Sequence, residues 1–275
     1  MRREELSFTA TNRTLGPTTS FLQMNTNNEQ HLAPAEATIP APAKVKHILV
    51  VEDERTLAMG IRDALVHAGF HADVAFDGDS GLEKCSDKEY DLIVLDLMLP
   101  GRNGLELLKA LREKNHRVRV LILTALSEES HILQCFEAGA DDYMTKPFSP
   151  RELVARIHAQ FRRGPGNSSE STPIPQLDLP HGISVDLARL EIHRDGNTTL
   201  LTPREGDILE YIIKHNDKVV TREDLLRDVW NYRNPNVATR TVDIHIVGLR
   251  RKIEPDPSEP TLIQTVRGKG YRWYA

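Results

Sequence analysis

Short apolar runs that alternate with amphipathic stretches constrain the fold of residues 45–163 more than any other feature. The runs predict strands near residues 47–51, 91–95, 118–123 and 142–145, with a weaker one near 72–75. Between the first two of these, apolar residues recur at helical spacing at Leu57, Ile61 and Leu65. Brief strands without polar alternation, each followed by a helix, are typical of a parallel sheet covered on both faces. This segment is therefore predicted to be a doubly wound α/β domain.

Residues 177–275 follow a different order of elements. Short strands come first, with a hairpin turn at Asp195-Gly196, then a capping-box pattern opens a helix after Thr202 and a cap at Thr221 precedes the next helix. A third helix carries Val242, Ile246, Leu249 and Ile253 on one face, and the chain closes with two strands around residues 267–270. Strands, three helices and a closing hairpin predict an α+β winged helix.

Composition sets the limits of these domains. Residues 1–44 are rich in Thr, Asn, Ala and Pro and predict a disordered extension, whereas residues 164–176 are a Gly/Ser/Pro-rich flexible linker. No apolar run approaches the roughly 18 residues that span a bilayer, so no membrane association is expected. Cys85 and Cys135 lie in half-apolar helical contexts and predict free thiols in a reducing compartment, the cytoplasm.

Polar residues occur where the predicted strands of the first domain end. Glu52 and Asp53 end the first strand, Asp96 the third and Thr124 the fourth, and the fifth leads to Lys146. In an open parallel sheet these ends form the ligand-binding edge. The three carboxylates Glu52, Asp53 and Asp96 suit Mg²⁺, a metal that prefers oxygen ligands. Any one of these acids alone could equally be a solvated turn residue, but the agreement of four strand ends favours a site.

The chemistry expected at this edge is phosphoryl transfer. A carboxylate that attacks phosphorus forms an aspartyl phosphate, while a metal, a lysine and a hydroxyl stabilise charge on the transferring oxygens. We assign Asp96 as the phosphoacceptor and Lys146 and Thr124 as its catalytic partners.

The same residues carry a resemblance to bacterial two-component response regulators. It rests on ILVVEDE at residues 48–54, LDLMLPG at 95–101, DDY at 141–143 and KPF at 146–148. The resemblance implies a flavodoxin-like (βα)5 receiver, a sensor histidine kinase as phosphodonor, switching through Thr124 and Tyr143, and a cis peptide at Lys146-Pro147.

An enzyme, such as a phosphatase with an aspartate nucleophile, is the alternative for this domain. Such an enzyme needs a general acid and a substrate pocket, and neither is evident in the sequence. Met98 is apolar where a carboxylate or amide could orient an attacking water, so slow hydrolysis of the aspartyl phosphate is expected.

The face of the third C-terminal helix opposite its apolar stripe predicts a DNA contact. It carries Arg240, Ile244, Val247, Gly248 and Arg251. An arginine there could be an ordinary solvated charge, but Ile244 and Val247 are poor choices for solvent. A DNA groove accommodates both types, because arginine binds phosphate or guanine and apolar groups touch thymine methyls.

The C-terminal segment resembles the OmpR/PhoB-type winged helix, through RTVDIH at residues 240–245 and TVRGKGYR at residues 265–272. The resemblance adds Thr241 to the contacts with double-stranded promoter DNA and places Arg267 of the wing in the minor groove. Many members carry a basic or polar residue where this chain has Val247-Gly248. A domain that binds only protein remains the alternative.

The resemblance also implies protein partners. Residues 230–238 correspond to the segment that contacts RNA polymerase in the family, or else form a plain connecting loop with Trp230 in the core. A phosphorylated homodimer is expected through the fourth helix, fifth strand and fifth helix. Its apolar patch would be Leu133, Phe136 and Val154, with Asp141 or Asp142 paired to Arg156 of the partner.

Two alternatives concern this dimer face. Leu133 and Phe136 could instead be simple core residues. In addition, Ile132 stands where the family commonly has a basic residue opposite Glu152, so that ion pair across the dimer is not expected.

Overall fold

The protein is described by a computed structural model. The structure describes residues 45–114, 117–126, 128–161, 176–232 and 239–274. The predicted extension at 1–44 and nearly all of the predicted linker lie outside these ranges.

The first domain is built on a parallel sheet whose strand order is β2-β1-β3-β4-β5. Its strands are β1 His47–Val51, β2 His71–Ala75, β3 Leu92–Asp96, β4 Arg119–Thr124 and β5 Asp142–Thr145. The register pairs Val51 with Leu95 and Asp96 with Leu123, so the carboxyl ends of β1, β3 and β4 reach the same edge. The predicted doubly wound α/β domain is confirmed.

Helices cover both faces of this sheet. They are α1 Arg55–His67, α2 Gly78–Asp87, α3 Gly104–Lys114, α4 Glu129–Glu137 and α5 Pro150–Phe161. The core on one face includes Ile61, Leu65 and Ile157 from α1 and α5, and the core on the other includes Leu107 and Phe136 from α3 and α4. The three central strands β1, β3 and β4 are therefore buried on both sides, as their nearly unbroken apolar sequences predict, whereas the edge strand β2 is partly exposed.

The second domain has the predicted order of strands, helices and hairpin. An antiparallel sheet comes first, followed by helices and then a second sheet of order β10-β12-β11. The elements are β6 Leu177–Leu179, β7 Ile183–Asp186, β8 Glu191–Arg194, β9 Asn197–Leu200, α6 Pro203–Lys214, β10 Val220–Thr221, α7 Arg222–Asp228, α8 Thr239–Ile253, β11 Ile263–Val266 and β12 Gly270–Trp273.

Local signals in this domain act as predicted. Asp195 and Gly196 have φ values of 50° and 77°, the left-handed conformation of a tight hairpin turn. Both capping boxes form, and at the start of α6 the Glu205 amide donates to the Thr202 hydroxyl at 3.2 Å. The apolar face of α8 is buried in a single core.

The helices and the two cysteines bear on two predictions made from composition. No helix among the described residues is long and apolar enough to cross a membrane. Cys85 is half-buried and Cys135 is buried, and both are free thiols. Burial raises the pKa of each thiol to about 11, which makes both poor nucleophiles near neutral pH.

Gly104, the first residue of α3, sets the distance between this helix and the end of β3. A Cβ added there would lie 2.1 Å from the Asp96 carbonyl oxygen and 2.6 Å from the Leu97 Cα, both backbone atoms. We expect Gly104→Ala to lower the free energy of unfolding by about 2 kcal/mol or more, because backbone must shift to relieve the overlap. Urea denaturation measures the change.

Gly60→Ala is the matched control. Nothing lies within 4 Å of a Cβ added at this position in α1. Its free energy of unfolding should rise by about 0.5–1 kcal/mol, because alanine restricts the unfolded chain. Equal effects of the two substitutions would contradict the packing described for Gly104.

Candidate functional site

Three carboxylates meet at the carboxyl edge of the parallel sheet. Glu52 and Asp53 follow β1, and Asp96 ends β3. Glu52 is 1% and Asp96 3% exposed, whereas Asp53 is exposed. One oxygen from each acid lies within 4.8 Å of the others. The structure therefore brings together the three acids that the strand-end pattern predicts.

Lys146 joins two of these acids. Its Nζ donates to both oxygens of Glu52, at 2.9 and 2.8 Å, and to Asp96 Oδ2 at 2.6 Å. Burial opposes the charged lysine, but the hydrogen bonds to Asp96 and Glu52 raise its pKa. The cis peptide expected at Lys146-Pro147 is present. The ammonium group thus supplies the positive charge that two buried carboxylates require.

The remaining electrostatics suit a divalent cation. Burial and the neighbouring Asp96 raise the pKa of Glu52, whereas the bond to Lys146 acts in the opposite direction. A group of three hard oxygen donors, two of them buried, fits Mg²⁺. Bound Mg²⁺ would neutralise the excess negative charge and draw phosphate oxygens towards Asp96.

Thr124 and Tyr143 lie on the next two strands of the sheet. Thr124 ends β4, is 1% exposed, and accepts a hydrogen bond from the Leu126 amide at 2.9 Å through its hydroxyl. Tyr143 is on β5, paired in register with Ile122 of β4, and burial raises its pKa. The two residues predicted to switch therefore stand on adjacent strands, and the strand of Thr124 lies directly beside that of Asp96.

Aromatic rings connect Tyr143 to the second domain. Its ring meets the edge of Phe136 on α4, with centroids 5.6 Å apart. Phe136 also contacts His245 of α8, with centroids 4.9 Å apart. The helix predicted to read DNA thus packs directly against the first domain.

The predicted DNA-reading residues of α8 fall into two groups. Arg240, Val247 and Arg251 are exposed, and Arg267 is exposed in the turn between β11 and β12. Ile244, however, is half-buried and packs against the core of the first domain. The apolar side chain of Ile244 predicts a contact with a DNA groove. In this conformation it contacts the first domain instead.

Thr241 and Gly248 of α8 are less accessible than the exposed group. Thr241 is 2% exposed, so its side chain is not available to DNA here. A Cβ at Gly248 would lie 3.1 Å from Glu205 Oε1, so this glycine faces the capping carboxylate of α6. Both residues therefore stay predictions for the DNA-bound form of the chain.

The residues predicted to form a dimer are engaged within the chain. Asp141 and Asp142 are at most 1% exposed. Asp142 accepts a hydrogen bond from the Tyr232 hydroxyl, which in turn accepts one from Arg156. Arg156 also pairs with Glu152 on its own helix at 3.1 Å, so Glu152 has a basic partner that sequence reasoning missed. Phe136 is a core residue, whereas Leu133 and Val154 are half-buried.

Other residues that sequence reasoning missed hold the two domains together. Arg204, Asp207 and Tyr232 of the second domain bond to Asp141, Arg119 and Asp142 of the first. Trp230 is 1% exposed and belongs to the core, and residues 233–238 of the predicted polymerase segment lie outside the described ranges.

Comparisons with known proteins agree with both halves of the chain. Residues 48–158 match the family described as response regulator receiver domain. Residues 196–273 match the family described as transcriptional regulatory protein, C terminal.

Full-length relatives share this arrangement. The chain is 39% identical over 227 residues to the DNA-binding response regulator MtrA of Mycobacterium tuberculosis, covering 82% of this chain and 96% of the relative. It is 40% identical over 229 residues to the transcriptional regulatory protein ResD of Bacillus subtilis, covering 82% and 95%.

A solved structure supports the fold across both domains. A point mutant of RitR superposes with a TM-score of 0.67 at 29% identity, covering 83% of this chain and 99% of that one. Together with the sequence relatives, this shows that the chain belongs to the OmpR/PhoB-type family of two-component DNA-binding response regulators.

Proposed function

We propose that this chain accepts a phosphoryl group on Asp96 from a sensor histidine kinase and thereby controls its binding to promoter DNA. The observation that carries the proposal is the buried pair of carboxylates bridged by Lys146 at the sheet edge. An Asp96 oxygen attacks phosphorus, the bond from phosphorus to the kinase imidazole breaks, and the imidazole nitrogen keeps the electron pair. Lys146 and Thr124 then face oxygens of the resulting acyl phosphate.

Lys146 has to exchange a partner during this step. It bonds to Asp96 Oδ2, and Oδ1 of Asp96 accepts from the Met98 amide at 3.0 Å. Phosphorylation removes the charge of Asp96 and adds phosphate oxygens, which are new acceptors for the lysine and for the Thr124 hydroxyl. Movement of Thr124 towards the phosphate would open space beside Tyr143, and this is the switch we propose.

A phosphatase is the second candidate for the acidic edge. Met98 is 60% exposed two residues after Asp96, and its side chain offers no oxygen or nitrogen to orient a water. Hydrolysis of the aspartyl phosphate should therefore be slow. Steady turnover of p-nitrophenyl phosphate by the purified protein would overturn the regulator assignment.

The DNA surface proposed for the second domain combines helix and wing. Arg240, Val247 and Arg251 on α8 would enter the major groove, joined by Ile244 once the first domain has moved away. Arg267 would reach the minor groove from the hairpin of β11 and β12. A DNA mobility shift that weakens with added salt would exclude a domain that binds only protein.

A receiver-mediated homodimer is proposed for the phosphorylated form. Leu133, Phe136 and Val154 would pack at its centre, and Asp141 or Asp142 would pair with Arg156 of the second copy. Residues 230–238 are proposed to contact RNA polymerase once DNA is bound.

Asp96→Asn should abolish phosphorylation by acetyl phosphate with Mg²⁺, because an amide is a far weaker nucleophile. Asp53→Asn is the companion change, and it should weaken Mg²⁺ binding without unfolding the domain, since Asp53 is exposed. Phosphate-affinity gels measure phosphorylation of the Asp96 variant, and a metal titration measures Mg²⁺ binding by the Asp53 variant. Wild-type phosphorylation of the Asp96 variant would refute the assignment.

Arg267→Ala and Val247→Arg should affect DNA binding in different ways. Loss of Arg267 should weaken binding with a modest change in sequence preference, whereas Val247→Arg should redistribute preference within a half-site. Selection from a random duplex pool compares the preferences. An unchanged profile for Val247→Arg would show that the groove-facing side of α8 is wrong.

Arg156→Ala should disrupt the dimer of the beryllofluoride-treated receiver, residues 45–163, by at least tenfold in dissociation constant. Glu152→Ala should change it little, because its contact with Arg156 is an exposed pair on one helix. Light scattering across a concentration series gives both constants. Equal damage from the two substitutions would count against the proposed interface.

A further inference from the structure

We propose that the cavity between α4, α6 and α8 is a binding site for a small neutral aromatic alcohol, and that this ligand opposes the binding of DNA. The cavity has a volume of about 410 Å³. The effect on DNA rests on the proposed function, whereas the binding site itself does not. The apolar lining, one unpartnered buried nitrogen and the balance of charge define the chemistry of the ligand.

The lining of the cavity is rich in apolar side chains. Leu133 and Phe136 of α4 contribute to it, together with Ile244 and Val247 of α8. The volume lies within the roughly 300–1,000 Å³ of small-ligand pockets, and it exceeds the roughly 150 Å³ that holds one benzene ring. Apolar side chains offer water few hydrogen bonds, so the space suits an apolar body of about two rings. Val247 is exposed, so a ligand can enter beside it.

His245 of α8 gives the cavity a hydrogen-bonding atom without a partner. This residue lines the cavity and is 4% exposed, and its Nε2 has no hydrogen-bond partner among the described residues. Burial, together with the charges of Arg204 and Lys252, holds the pKa of this imidazole well below its usual range, so the ring is neutral. An unsatisfied buried polar atom costs about 1–3 kcal/mol, which a bond to a ligand would recover.

The surroundings of this imidazole favour a hydroxyl attached to an aromatic ring. A hydroxyl both donates and accepts, so it can bond to Nε2 in either tautomer of His245. The ring centroid of Phe136 lies 4.9 Å from that of His245, and the centroid of Trp230 lies at 5.4 Å. Aromatic rings attract each other at such separations, so an aromatic ligand can pack against Phe136 while its hydroxyl bonds to His245.

Every charged residue that lines the cavity has a partner of opposite charge. The pairs are Lys252 with Glu205 at 2.6 Å, Arg251 with Glu137 at 3.7 Å, and Asp243 with Arg222 at 2.6 Å. A charged ligand would have to break one of these pairs or lie among apolar side chains without a counterion, and both are unfavourable. Charge balance therefore favours a neutral ligand over a carboxylate or an amine.

The position of the cavity determines what the ligand would do. Val247 and Arg251 line it and also belong to the proposed DNA surface. A ligand held between Phe136 and His245 would bind only while α4 and α8 adjoin, and it would cover Val247. DNA and ligand would then exclude each other, and each would weaken the binding of the other by the same factor.

The test measures binding of 2-naphthol to the full chain by equilibrium dialysis. This probe is neutral and has two rings and one hydroxyl, and naphthalene is the matched probe without the hydroxyl. His245→Phe removes the ring nitrogens and keeps an aromatic ring, whereas Leu133→Trp fills the cavity. His193→Phe on β8, outside the cavity, is the matched control. Circular dichroism verifies that each variant is folded.

Wild type should bind one 2-naphthol per chain, about tenfold or more tightly than naphthalene, because only 2-naphthol can bond to His245. His245→Phe should remove this preference by weakening 2-naphthol binding, with naphthalene binding unchanged. Leu133→Trp should abolish binding of both probes, and His193→Phe should match wild type.

The effect on DNA is measured with a duplex selected from a random pool by beryllofluoride-activated wild type. Saturating 2-naphthol should weaken binding of this duplex by wild type about tenfold or more, and it should have no effect on Leu133→Trp.

Three results would count against the inference. Absence of saturable 2-naphthol binding by wild type would rule out the site, as would undiminished binding by folded Leu133→Trp. Equal 2-naphthol affinities of wild type and His245→Phe would show that water alone satisfies the histidine. Unchanged DNA affinity in saturating 2-naphthol would refute the proposed effect on DNA. If activated wild type selects no duplex, the proposed DNA function fails instead, and dialysis still decides the site.

Discussion

Burial of like charges at one edge of a parallel sheet is the constraint around which the receiver is organised. Glu52 and Asp96 are almost fully buried, so they lose the water that normally stabilises carboxylates. Lys146 compensates through bonds to both acids, but one ammonium group cannot neutralise three carboxylates. The remaining negative charge would favour a bound cation at this edge, which is the physical basis of the proposed Mg²⁺ site.

Sequence predicted this edge well because local patterns mark where each strand begins and ends along the chain, and parallel strands end at the same edge. Apolar runs identify the strands, and the first polar residue after each run marks the edge. The boundaries shift by one residue at β3, where Asp91 precedes the strand. Its carboxylate accepts from the His47 amide at 2.9 Å, so it caps the start of the sheet, whereas Asp96 continues the ladder.

Sequence could not predict the contacts between domains. Arg204 meets Asp141 across 63 positions, and Tyr232 meets Asp142 across 90. No periodicity relates such residues, and each has an ordinary local explanation as a helix or loop residue. Ile244 shows the consequence. An apolar residue on an outward helix face indicates that something covers it, but the sequence cannot distinguish a DNA groove from another domain of the same chain.

The polar chemistry of the contacts between the two domains determines what their separation would cost. An interface held by apolar burial alone would expose that surface whenever it opened, at roughly 25 cal/mol per Å². Here apolar packing by Ile244 and Phe136 is combined with arginine–carboxylate and tyrosine–carboxylate pairs, whose members regain water on separation. For such pairs the free energy lost when the charges leave water nearly cancels the free energy gained from their attraction. Replacing one partner by another therefore costs little, whereas leaving one charge buried without a partner costs about 3–5 kcal/mol. If the two domains separate, Asp142 and Arg156 therefore exchange Tyr232 together for water, or for a second receiver in the proposed dimer. A surface with this property favours two discrete states over partial opening, which is what a phosphorylation switch requires.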